Sequence, residues 1–305
     1  MTVELRPPRR DDAHAIAAAL NAFNRPAGFD LDTPEEVGVW LELPSIDFER
    51  DARVGFVDGR IVGYSEASDP SGEGKFVYMD VRADPAHPEA GAALFDFAEE
   101  HARELAVPGG RVKLWTPEGA AAWRRFLESR GYVVQRQSLR MFARLEREPP
   151  EPDWPAGVSI RTFRRDDDER AVYELQQETF SDQRDYVPDT FEDWLHWSLS
   201  DPFDPELWFL AEAEDELVGI SLCRAEWSGD AELGWVSVLG VRRPWRRKGL
   251  GSALLLHSFR ELRARGKKRV GLGVAADNPT GAARLYERVG MSVERRILWY
   301  QKAAA

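Results

Sequence analysis

Cysteine is almost missing from this chain. The single Cys223 excludes an internal disulfide framework and a zinc ribbon. The five histidines, His14, His87, His101, His196 and His257, never stand in an HxxxH arrangement, so no structural or catalytic metal site is expected. Long apolar runs are absent too; none approaches the ~20 residues that cross a bilayer. The opening residues, MTVELRPPRRDD, turn to charge after a short strand-like run and lack the apolar core of a secretory signal, which predicts a cytoplasmic protein. Positive charge is in deficit: 41 basic against 53 acidic residues give a formal net charge of −12. Such a surface repels nucleic acid and anionic lipid, so neither is an expected partner.

What remains is ordinary globular composition, 43% hydrophobic and 31% charged over 305 residues. That length suits two domains of middling size. Four prolines, at 149, 150, 152 and 155, crowd the stretch 146–157 and mark a stiff linker between them. The flanks repeat. VELRPPRRDD at 3–12 returns as VSIRTFRRDD at 158–167, a shift of 155 residues. Ile61-Val62-Gly63 returns as Leu217-Val218-Gly219, shifted by 156, and Arg111-Val112-Lys113-Leu114 as Arg269-Val270-Gly271-Leu272, shifted by 158. A slowly growing offset is what duplication and small loop insertions leave behind, and a period this long means two whole domains. The expected organisation is a domain over 1–147, a linker over 148–157 and a second domain over 158–305.

In the second half the pattern predicts helices near 166–180 and 189–199, then strands at 207–213, 217–224 and 232–241. A helix follows at 249–265, a strand at 269–274, a helix at 279–289 and a strand pair within 291–301. Mixed strands and helices in this order give an α/β fold, an α+β mixed sheet in each of two tandem domains.

The most informative segment follows the strand that ends at Val241. Arg242, Arg243, Arg246, Arg247 and Lys248 form a basic bend, and Gly249-Leu250-Gly251 opens an apolar helix. A helix start offers unpaired N–H groups and the positive end of a dipole, and glycine lets an anion approach the backbone. A solvated basic turn would look similar. A dinucleotide fingerprint does not fit, because Leu254 occupies the third glycine position and no acidic residue ends the strand about 20 residues on.

Arg246-x-x-Gly249-x-Gly251, placed after Leu239-Gly240-Val241, resembles the acyl-CoA diphosphate motif of the GNAT superfamily of N-acetyltransferases. Ala276-Asp277-Asn278-Pro279, followed by Ala283 to Met291, resembles that family's second coenzyme segment. Asn278 as N-cap and Pro279 in the first turn suit a helix start. The likeness spans most of 158–302, and the two-domain layout is similar to that of the tandem GNAT proteins, the group of the mycothiol synthases.

The resemblance implies acetyl-CoA as co-substrate, with no metal. It places the coenzyme on Leu239, Gly240, Val241, Arg246, Arg247, Lys248, Gly249, Leu250, Gly251, Ser252 and Asn278. It makes Tyr286 the general acid toward the departing sulfur; a core aromatic is the other reading of that residue. The family's glutamate base stands eleven residues before the motif arginine, and here that position is Trp235, which accepts no proton. This counts against mycothiol synthesis itself. Glu232 has the wrong strand parity to take its place. Glu178, Asp182 and Asp185 lie in the segment that should line the acceptor site, and the base stays unassigned. Residues 180–197, with acidic groups among aromatics, suit a cationic amine, or an ordinary amphipathic loop and helix with Trp194 and Trp197 in the core.

In the first half Ala86 stands opposite Arg246, Glu89 opposite Gly249 and Leu127 opposite Tyr286; only Gly91 keeps its glycine. That half is expected to keep the fold without the chemistry. The implied activity is acetyl transfer to a primary amine of a small molecule in the C-terminal domain. A protein lysine or N-terminal acetyltransferase and a non-catalytic acyl-CoA sensor are the alternatives, in a monomer or a homodimer.

Overall fold

The computed structural model describes residues 3–200 and 202–304; Met1, Thr2, Asp201 and Ala305 lie outside the described residues. The chain forms two compact units, Met1–Ser138 with Arg295–Ala305, and Leu139–Glu294.

The first unit opens with β1 (Glu4–Arg6), α1 (Ala13–Asn24), α2 (Pro34–Trp40) and α3 (Phe48–Asp51). Then follow β2 (Ala52–Val57), β3 (Arg60–Ser68), β4 (Phe76–Ala83), α4 (Pro88–Leu105), β5 (Arg111–Pro117) and α5 (Ala121–Ser129). The strands β1 to β4 pair antiparallel in order, and β4 and β5 pair parallel. In α1 the buried Ile16, Leu20 and Phe23 recur at helical spacing and form its inner face. Leu94, Phe95, Ala98 and Ala102 do the same for α4.

In chain order β6 (Val133–Arg144) comes next, and the chain enters the second unit within it. The second unit continues with β7 (Ser159–Thr162), α6 (Glu169–Phe180), α7 (Phe191–Ser198), β8 (Trp208–Ala213) and β9 (Glu216–Arg224). It is completed by β10 (Leu233–Val241), α8 (Leu250–Ala264), β11 (Arg269–Ala275) and α9 (Ala282–Arg288), and β12 (Ser292–Ala303) leads out of it. Strands β7 to β10 pair antiparallel in order, and β10 pairs parallel with β11. The apolar side of α8, Leu250, Ala253, Leu254, Phe259 and Leu262, is buried. Gly234 brings this helix close to β10, since a Cβ there would stand 2.7 Å from Leu262.

The expected boundaries at 147 and 158 differ from those of the units. Each half gives its last strand to the other unit. β12 pairs antiparallel with β5, from Ile297↔Pro117 to Ala303↔Arg111. β6 lies beside β11, and its Leu139, Met141 and Ala143 join the core that holds Val270, Leu272 and Leu262. The physical reason is equivalence: duplicated domains end in half-buried strands of the same length, so each fits the other's seat. The strand pair expected within 291–301 is a single strand for the same reason, running along β5 without a turn.

The proline-rich segment is packed. Arg260 of α8 donates to the Pro149 carbonyl at 2.8 Å and pairs with Glu148 at 2.7 Å. Trp154 stands edge-on to His257, ring centres 5.8 Å apart.

Candidate functional site

The site begins where β10 parts from β11. Their parallel pairing runs from Leu233↔Arg269 to Val236↔Leu272 and has no register pair beyond. At Ser237 the pairing with β9 shifts register, then continues from Val238↔Leu222 to Val241↔Gly219. Among the described residues Leu239, Gly240 and Val241 therefore have a strand partner on one side only. Backbone N–H and C=O groups on the other edge are obligatory hydrogen-bonding groups open to a ligand, apart from the Val241 carbonyl, which accepts from Arg246. Gly240 admits α6 at this point, because a Cβ would lie 2.7 Å from the Thr179 hydroxyl oxygen.

After Val241 the chain makes a tight turn over Arg243–Trp245 and reaches α8 through two left-handed residues, Arg247 at φ 61° and Gly249 at φ 91°. Gly249 is the N-cap of α8, and no side chain caps that end. Four N–H groups at such an end lack intrahelical acceptors. A Cβ at Gly249 would find nothing nearer than the Asp153 carbonyl at 3.9 Å, so the space before the helix is open. At Gly251 a Cβ would meet Leu285 of α9 at 3.2 Å. The smallness of this glycine seats α9 against α8. Leu250 is fully buried and Ser252 half-buried on the first turn of α8.

Three of the five loop cations are spent on carboxylates. Arg242 pairs with Glu178 at 3.3 Å and Glu216 at 3.4 Å. Arg243 and Arg246 share Asp182, the latter at 2.5 Å. The hydrogen bonds from Arg243 and then Arg246 hold the Asp182 carboxyl down at about 2. Arg246 also donates to the carbonyls of Val241 at 3.0 Å and Thr179 at 3.3 Å. Among the described residues Arg247 and Lys248 have no carboxylate partner; the Lys248 ammonium lies 5.0 Å over the Trp245 ring. Glu178 and Asp182, expected beside the acceptor, are thus tied to the loop. Asp185 stands in left-handed conformation, φ 54°, in the turn after α6.

Tyr286 is buried on α9 in the core cluster that contains Leu250 and Leu254. Burial alone pushes its phenol up to about 12, so it keeps its proton at neutral pH. Asn278 is not the N-cap expected of it. Its side-chain oxygen accepts from Thr280 N–H at 2.9 Å and from the Thr280 hydroxyl at 2.6 Å, closing a local turn that contains Pro279. Gly281, at φ 73°, then resets the chain and caps α9, which starts at Ala282.

Trp235, at the position where the resemblance leads one to expect a glutamate, is buried. It lies opposite Gly271 in the parallel register, and a Cβ on that glycine would be 2.5 Å from the indole. Trp227 stacks on it at 4.4 Å and 10°. Phe142 is 6.1 Å away, and the Arg140 guanidinium sits 5.1 Å from the Trp235 ring. Glu232 is exposed, outside the strand, and ion-paired with Lys268. Sequence reasoning missed Arg140 and Phe142, which reach this place only because β6 crosses into the second unit. The signal for them was Gly271 and Gly273, alternate residues of β11 whose bare face leaves room for large side chains; the Arg140 guanidinium would lie 2.4 Å from a Cβ at Gly273.

In 180–197, Trp194 belongs to the core and Trp197 does not, being 42% exposed. Tyr173, Phe191 and Trp194 form one ring cluster. In the first unit, Leu127 is fully buried and Glu89 lies 3.7 Å from His87 in the first turn of α4. Among the described residues no cluster of three His, Cys, Asp or Glu could hold a metal, and no helix is long and apolar enough to cross a membrane.

Residues 169–291 match the profile of the acetyltransferase (GNAT) family. The chain is 36% identical over 191 residues to the mycothiol acetyltransferase of Thermobispora bispora, a match that spans 62% of this chain and 64% of that protein. It therefore spans just under two thirds of that curated relative's length. The crystal structure of a GCN5-related N-acetyltransferase from Sphaerobacter thermophilus superposes with a TM-score of 0.75 at 32% identity, covering 99% of this chain and 96% of that one. A tandem GNAT protein from the clavulanic acid biosynthesis pathway shares the fold, with a TM-score of 0.73 at 19% identity over 100% and 99% of the two chains.

Proposed function

The chain belongs to the GNAT acetyltransferase family, and on that premise we propose that its second unit transfers acetyl from acetyl-CoA to a primary amine of a small molecule. One observation carries the reading: the half-paired end of β10 runs directly into a basic loop that opens, through a left-handed glycine, onto the uncapped end of α8. An extended amide chain fits the first, and a diphosphate fits the second.

Acetyl-CoA supplies an acetyl group activated as a thioester. The chain's residues do the rest. Backbone groups of Leu239, Gly240 and Val241 hold the pantetheine arm and fix the carbonyl. The N–H groups from Arg247 to Ser252, with the side chains of Arg247 and Lys248, receive the diphosphate. Asn278, bound into its own turn, borders the start of α9. The amine nitrogen attacks the carbonyl carbon, the carbon–sulfur bond breaks, and the Tyr286 O–H gives its proton to the leaving sulfur. The phenolate recovers the proton that the amine sheds. The acceptor side supports a small molecule because the Thermobispora bispora relative is by name an acetyltransferase of mycothiol. The aromatic block at Trp235 means that the amine must arrive neutral or lose its proton to solvent.

That same block favours a second reading, a sensor that binds acyl-CoA without turnover. Release of free thiol from acetyl-CoA, followed across a panel of small amines including a mycothiol-related amine, separates the two. Turnover with at least one amine, lost in Tyr286→Phe, supports the enzyme. Tight coenzyme binding without release for any amine supports the sensor.

A further inference from the structure

Arg246 is held from three directions. Its Nε donates to the Val241 carbonyl at 3.0 Å, Nη1 to Asp182 at 2.5 Å and Nη2 to the Thr179 carbonyl at 3.3 Å. These acceptors belong to the end of β10, the turn after α6 and α6 itself. The residue that follows, Arg247, is left-handed at φ 61° although it carries a Cβ, and Gly249 is left-handed at φ 91°. A non-glycine residue keeps such a conformation only where its surroundings over-determine it. Segments that mix right- and left-handed residues turn successive N–H groups to one concave side and cradle anions. The strain at Arg247 and the anchoring of Arg246 are therefore two ends of one arrangement.

We propose that Asp182 is a positioning residue for the acyl donor: through Arg246 it holds the 246–249 segment in the bent form that receives the diphosphate. The inference rests on the reading of that segment given above. Asp182 does not touch the coenzyme in this account, and it adds nothing to its charge attraction. It is an anion beside an anion site, and it also occupies Arg243, a largely exposed cation. As a bystander it repels the diphosphate and withholds a guanidinium, so its removal would tighten coenzyme binding. As a positioning group its removal weakens binding although the local charge becomes more favourable. The two roles differ in the sign of one measurement.

The test is calorimetric titration with CoA of the full-length wild type, Asp182→Ala, Asp182→Glu, Arg247→Gly and the double variant Asp182→Ala/Arg247→Gly, with thermal melting as a check on folding. Losing one hydrogen bond to a charged group predicts a dissociation constant about tenfold higher for Asp182→Ala. Asp182→Glu restores the carboxylate and brings affinity back toward wild type. Glycine at 247 adopts the left-handed form without strain, so in that background Asp182→Ala has less than about a third of its effect. Unchanged or tighter binding by Asp182→Ala overturns the proposal, and so does an equal loss in both backgrounds. A wild type that binds no CoA overturns the functional reading itself and the inference with it.

Discussion

Trp235 lies face to face on Trp227, their ring centres 4.4 Å apart and their planes within 10°. The pair occupies the strand position at which the family resemblance puts a glutamate base, and a guanidinium from Arg140 lies against both rings. A first expectation concerns pH. With no protein base in this block, the alkaline rise of kcat/KM should follow the acceptor's own ammonium group. Two accepted amines whose ionisations differ by about two pH units should give profiles displaced by nearly that amount. Profiles that coincide would reveal a base in the protein.

The same pair is a packing unit. Trp235→Ala removes a buried ring that fills the space above Gly271 and should cost about 3–5 kcal/mol, read as a lower midpoint in chemical denaturation. Trp235→Phe should cost much less.

The two motif glycines should fail differently. Gly249→Ala forces a side chain into left-handed backbone, at about 1–2 kcal/mol, in the segment proposed to receive the diphosphate. Coenzyme affinity should fall while α9 stays in place. Gly251→Ala presses on Leu285 and should lower thermal stability more than coenzyme affinity. Calorimetry and melting curves on both variants check the assignment.

Tyr286→Phe should reduce kcat about a hundredfold or more and leave CoA affinity within a factor of about two, since no hydrogen-bonding or charged group contributes to the state of its phenol.

The first unit carries its own pH dependence. Burial pushes Glu66 up to about 8, against the hydrogen bond it accepts from Tyr64 at 2.6 Å; Asp80 raises it further and Arg82 opposes. Its folded value lies above its unfolded one, so the folded state holds the proton longer. The contribution to stability is complete below the unfolded value of about 4.3 and is lost as pH rises toward 8. Glu66→Gln should flatten the fall in melting temperature across that window; an unchanged slope would place the cause elsewhere.

Much of this was legible in the sequence because it rests on local pattern. The duplicated openings at 3–12 and 158–167, the basic bend and Gly249 are written in consecutive residues. What was not legible depends on partners far along the chain. β6 and β12 have interchangeable patterns, so their exchange leaves no mark in either half. Arg246 reads as a phosphate ligand, and its bonds to Thr179 and Asp182 are not written beside it because α6 brings them from far along the chain. That Gly251 also leaves room for Leu285 of α9 is not written in the motif. Asn278 looks like an N-cap because asparagine serves helix starts and tight turns by the same side-chain geometry, and Gly281 decides between them.

The loop before α8 is proposed to grip the diphosphate of an acyl-CoA. The most direct measurement is the CoA dissociation constant of Arg247→Glu/Gly249→Glu beside wild type, by calorimetry at low salt. The account predicts binding by the wild type and a loss of about a hundredfold or more in the variant, from reversed charge and a side chain set into the open space before the helix. Equal affinities in the two proteins would contradict it.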